Sequence, residues 1–163
     1  MSEQPTQSST WSFAIALAAV GGFLAAVGVF MSWASATGVR TTEIFGDERV
    51  GTSSSNGTGD LAGLVVLLAG LVVGILEVLA LLSSGEGLQR AAGMVAIAGG
   101  LVILAACALG ALRPEAVLGD LPAELSVPEV AVQTTVAAGV FVSAAGGVIA
   151  AAGGLVARRA PAP

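Results

Sequence analysis

Leu61–Leu82 (LAGLVVLLAGLVVGILEVLALL) is an unbroken apolar run that opens after Asp60 and holds one ionisable side chain, Glu77. At about 1.5 Å per residue, roughly 20 apolar residues cross a hydrocarbon core of about 30 Å. Three further runs of similar character follow the same rule: Trp11–Ala36, Ala92–Leu112 and Val132–Ala157. Only 10% of the 163 residues are charged, where a soluble domain carries about 25%. The runs therefore predict an all-α integral membrane four-helix bundle, up-down-up-down. Residues 1–10 read as a disordered tail, capped into the first span at Ser9 or Thr10, and residues 158–163 as a C-terminal tail.

Between the spans the chain is polar. Residues 37–60 read as an outer loop, with some β-propensity in Val39–Phe45 and a mobile Gly/Ser/Thr tract at Gly51–Gly59. Asn56-Gly57-Thr58 suits turn chemistry, and Asp60 is placed to cap the second helix. Ser83–Ala91 is a short hydrophilic connection whose Gly85 and Gly87 should stop the second helix. Residues 113–131 form a second outer loop, whose apolar pieces Ala116–Leu118 and Leu121–Leu125 suit the membrane surface. Ala34-Ser35-Ala36 has the form of a cleavage site, but no basic residue precedes it and the apolar core is too long for a signal peptide.

Lipid tails are as apolar as leucine, so helices in a bilayer associate through close backbone approach and polar contacts. The 23 glycines supply the first. Gly63, Gly70, Gly74 and Glu77 recur on one face of the second span. Gly99 and Gly100 in the third span and Gly146 and Gly147 in the fourth add small-residue surface, so that the fourth can be approached from several sides. Trp11 and Trp33, roughly 33 Å apart along a helix, suit anchors at the two headgroup levels.

Glu77 is the sharpest chemical candidate, since an intramembrane charge costs on the order of 2.5–3.5 kcal/mol on insertion scales and marks ion pathways or interhelical ties. As a tie it would pair with Arg90 or Arg158 reaching down from the interface; as a functional group it would carry protons or ions. Cys107 reads as a small hydrophobe. Asp47, Glu48, Asp120, Glu124 and Glu129 read as a solvated acidic face lacking the ligand spacing of a cation loop. No Lys and no His occur, and there is one Cys. These absences remove Schiff-base lysines, Ser-His pairs, histidine-held haem and zinc, and an internal disulfide. No catalytic residue, metal ligand or cofactor is expected, and the net charge of −5 argues against nucleic acid as a partner.

Four spans put both termini on one side, with Arg90, Arg158 and Arg159; Arg40, Arg49 and Arg113 lie on the other. Position decides the tie, because Arg158 and Arg159 directly end a span. The termini are therefore expected in the cytoplasm of a bacterium, the chain lying in its plasma (inner) membrane.

The Gly-rich first span ending Gly28-Val29-Phe30-Met31-Ser32-Trp33, the polar loop closing on Gly59-Asp60, and the Leu-rich second and third spans resemble small four-span membrane proteins of actinobacteria, in particular the tryptophan-associated membrane protein group. That group tends to have Leu-Pro before the tryptophan, where this chain has Met31-Ser32. The resemblance implies a four-span bundle and no activity. The sequence thus points to a non-catalytic accessory or assembly subunit of a larger membrane complex, bound to other subunits or to itself. The alternative is a small oligomeric transporter or channel subunit using Glu77.

Overall fold

The computed structural model describes residues 6–42, 46–83, 86–123 and 125–160. The chain runs α1 (Thr6–Gly28), β1 (Ser32–Thr42), β2 (Gly46–Asn56), a 3-10 turn (Gly57–Gly59), α2 (Leu61–Leu82), α3 (Glu86–Leu112), α4 (Pro114–Leu118), β3 (Ala131–Val136) and α5 (Ala138–Arg159). Four stretches of helix are long and apolar enough to cross a membrane: Thr10–Gly28, Leu61–Leu82, Gly87–Leu112 and Ala138–Arg159. They form a ring in which α1 packs on α2 and α5, and α3 packs on the same two helices.

The bundle is not purely helical. A three-stranded antiparallel sheet, ordered β2-β1-β3, caps the end of the ring away from the termini. The expected first span runs eight residues too far, to Ala36 where the helix ends at Gly28, because Ser32-Trp33-Ala34-Ser35-Ala36 is greasy enough to extend a hydropathy window. Those residues instead alternate along a strand, with Ala34, Ala36 and Gly38 buried and Ser35 and Thr37 only half-buried. Period-2 burial of small apolar residues is the mark of a strand with one covered face. The expected fourth span begins too early for the same reason: Ala131–Val136 pairs with β1, from Ala34 opposite Val136 to Val39 opposite Ala131.

The tract at Gly51–Gly59, expected to be mobile, is mostly strand β2, paired with β1 from Ser32 opposite Asn56 to Thr42 opposite Gly46. Other boundaries shift as well. Helix α1 already includes Thr6–Thr10, so neither Ser9 nor Thr10 is its cap. Helix α3 starts at Glu86 and absorbs Gly87; Gly85 and residues 1–5 lie outside the described residues. In the apolar pieces of the second loop Val117 and Leu125 are buried, while Ala116 is exposed. Val117 joins the core beneath the sheet, and Leu125 packs with Ala36 and Val130.

Two local expectations hold. Asp60 caps α2, its Oδ2 accepting from the Ala62 N–H at 3.0 Å. Asn56 Oδ1 accepts from both the N–H and the hydroxyl of Thr58, at 3.2 and 2.6 Å, making the turn that delivers the chain from β2 to α2.

The buried residues form layers along the ring. At the sheet end lie Ala25, Val29, Trp33, Val66, Ile103, Ala106, Cys107 and Val140. Next comes a thin layer of Ala18, Val73, Ala96 and Ala150. Toward the termini lie Trp11, Ala14, Ile15, Ala80, Ala92 and Ala157.

Candidate functional site

Of the predicted packing glycines, all but Gly63 lie where spanning helices meet. A Cβ at Gly70 would stand 2.6 Å from Gly22 O of α1, and one at Gly74 would stand 2.9 Å from the Phe23 ring. Gly100 and Gly147 face each other across α3 and α5, each lying against the other's carbonyl, at 2.6 and 3.1 Å from the position a Cβ would take. Gly146 meets Gly21 of α1 in the same way, and Gly99 accepts the Val73 side chain of α2. Gly63 meets no helix; it lies against Gly57 of the turn before α2. Real side chains at these positions would drive the backbones apart.

Glu77 points inward with this glycine face and is 0% exposed. It lies one turn from Val73 on one side and from Ala80 on the other. Each of those residues belongs to a layer to which all four spanning helices contribute. Neither carboxylate oxygen has a hydrogen-bond partner. Arg90 is exposed, and the stem of Arg158 lies over Gly93 of α3, so neither expected partner ties Glu77 by a hydrogen bond. Among the described residues the other buried polar side chains are Gln89, whose Nε2 donates to Ser83 O, and Ser143, whose Oγ donates to Ala25 O. Both are already spent on backbone carbonyls. Among the described residues, no further buried polar side chain leads from Glu77 through the layers above it.

Both tryptophans are buried against the protein itself. Trp11 is 4% and Trp33 1% exposed. Trp33 fills the space under the sheet, its Nε1 donating to Gly28 O at 3.0 Å. Gly57, Gly110 and Gly139 leave room for its ring, a Cβ at Gly139 standing 2.6 Å from Trp33 Cδ1. Its own carbonyl accepts from Ala137 N–H at 2.8 Å, fixing the entry to α5. One side chain thus locks α1, α3, α5 and the turn before α2. The sequence signal was the cluster of single glycines in otherwise polar or helix-end positions, which gains meaning only once the loops are folded together.

Cys107 is buried in the sheet-end layer. Asp47, Glu48, Asp120 and Glu129 are exposed, Asp47 accepting from the Thr41 hydroxyl at 2.7 Å. Glu124 lies outside the described residues. Among the described residues no three Cys or carboxylate side chains gather as a metal site would require.

No protein-family model matches this chain, and no curated protein matches it.

Proposed function

We propose that this chain is a non-catalytic accessory or assembly subunit of a larger bacterial membrane complex, held in the plasma membrane with both termini in the cytoplasm and the sheet outside. The observation that carries the reading is the sheet. Strands β2 and β3 flank β1 and each keeps one edge unpaired among the described residues. An open edge is a template for another chain, and here it is held rigidly on the bundle by Trp33. In the ring beneath, α5 meets α1 at Gly21 and Gly146 and α3 at Gly100 and Gly147, backbone against backbone. Arg158 and Arg159 in the last turn of α5 support the orientation.

The test is affinity purification of the tagged full chain from native membranes in mild detergent, beside a Thr52→Lys/Ser54→Lys variant at exposed β2 positions. A stoichiometric membrane subunit that the variant loses, at unchanged unfolding midpoint, is the expected result. Migration of the wild type as a lone monomer contradicts it. A reporter fused at the C-terminus that works only outside the cell reverses the orientation.

One observation favours a second reading, an oligomeric transporter or channel subunit. Glu77 keeps two unpartnered oxygens in the bundle interior, and a buried unsatisfied group demands a reason. Proton- or cation-dependent flux into liposomes that Glu77→Gln abolishes would establish it; equal flux with and without the carboxylate would dismiss it.

A further inference from the structure

Helices α2 and α3 part toward the sheet end, leaving a cavity of about 420 Å³ between them, closed above by α4. Its wall is apolar, with Val65 of α2 and Val102, Ala105 and Leu109 of α3, and its mouth carries Asp60 and Arg113. Leu61, Val102 and Leu109, which line it, are exposed on the outside of the ring. In a spanning bundle that outside is hydrocarbon, so the cavity opens sideways into lipid, at the depth where hydrocarbon gives way to headgroups.

The charges at the mouth are not equivalent. Asp60 spends Oδ2 on the Ala62 N–H and stands at the positive end of the α2 dipole, which offsets its charge. Arg113 is exposed and its guanidinium enters no ion pair among the described residues. A planar guanidinium matches phosphate oxygens two at a time. The size of the cavity separates the possible occupants. A partner helix, about 10–12 Å across, would fill it within about one turn, whereas an acyl chain is thin enough to run its length. The volume also falls within the range of about 300–1,000 Å³ usual for small-molecule sites.

We propose that this groove binds a phospholipid of the surrounding bilayer, one acyl chain against Val65, Val102, Ala105 and Leu109 and the phosphate on Arg113. The inference rests on the helices spanning a bilayer and is independent of the assembly role.

Native mass spectrometry of the full chain in mild detergent tests it, with phosphatidylglycerol, phosphatidylethanolamine and, as a phosphate-free control, diacylglycerol of the same chains. Wild type should retain one phospholipid and little diacylglycerol. Ala105→Phe, which fills the groove from an exposed position, should cut the bound fraction of both phospholipids at least tenfold. Arg113→Gln should reduce them to the diacylglycerol level. Undiminished binding to Ala105→Phe, or equal binding of diacylglycerol and phospholipid to wild type, overturns the proposal. A photoreactive acyl chain gives a readout on the unaltered protein. Labelling should concentrate at 61–65 and 102–109; even labelling around the ring, or occupation of the groove by a co-purifying helix, contradicts it.

Discussion

The α1/α5 seam and the α2/α3 seam are built from the same small vocabulary and end differently. Across the first, Gly21 and Gly146 face each other so closely that a Cβ on either would stand 2.7 or 2.6 Å from the other's carbonyl oxygen. Across the second, a valine enters a glycine notch, Val73 over Gly99, and the sheet end above it stays open. Burial follows the same division: 56% and 44% of the most apolar stretches of α1 and α5 are buried, against 33% for each of α2 and α3. In hydrocarbon, where greasiness does not drive helices together, backbone touching backbone shuts a seam. Side chain against notch holds helices while leaving an apolar space between them. The shut seam is also the one whose helices carry β1 and β3 at their ends, so rigidity in the bundle is passed to the sheet.

This contrast can be broken most severely at Gly146. Gly146→Leu puts a branched side chain where α1 backbone lies, and overpacking of about 3 kcal/mol or more follows. The expected outcome is loss of the folded species, read by unfolding midpoint and monodispersity in mild detergent. A stable Gly146→Leu protein would mean that the seam is looser than described. Trp33→Ala comes next, because it empties the space shared by both seams under the sheet; truncation of a buried tryptophan costs about 3–5 kcal/mol. The spans should survive as helix by circular dichroism while amide exchange in β1 and β3 accelerates. Unchanged protection of the strands would show that the sheet does not depend on this ring. At the open seam, Ala105→Phe should move stability by no more than about 0.5 kcal/mol, as exposed substitutions do. A large destabilisation there would erase the distinction between the seams.

Much of the bundle was legible in the sequence. Leu61–Leu82 is read with its boundaries and cap intact, because a long apolar stretch flanked by Asp60 and Ser83 leaves the chain one choice. The shared face of Gly70, Gly74 and Glu77 follows from spacing. Gly99, Gly100, Gly146 and Gly147 are expected only as packing positions, and the helix each one meets emerges in the fold. The sheet was not legible, for a physical reason. Hydropathy measures affinity for oil, and Trp33, Ala34 and Ala36 are as oily in a strand as in a helix. The pairing of β1 with β3 joins residues a hundred positions apart, such as Ser35 and Thr135, which no local period records. Glu77 was found by its charge alone. Its lack of a hydrogen-bond partner emerges only when four helices enclose it, since the nearness of Arg90 and Arg158 by count along the chain does not decide which groups meet in space.

The central claim is that the segment after α1 and the segment before α5 are knitted into one sheet at one end of the four-helix ring. Ser35 and Thr135 stand opposite each other in that pairing, their hydroxyl oxygens 2.8 Å apart. In a Cys107→Ala background, cysteines at both positions should form an intrachain disulfide in intact membranes, mapped by mass spectrometry of the proteolysed chain. Near-complete bridging of Ser35→Cys with Thr135→Cys, and none for a Thr52→Cys/Thr135→Cys pair drawn from the two outer strands, is the predicted result. Free thiols at 35 and 135 in membranes exposed to oxidant would contradict the account.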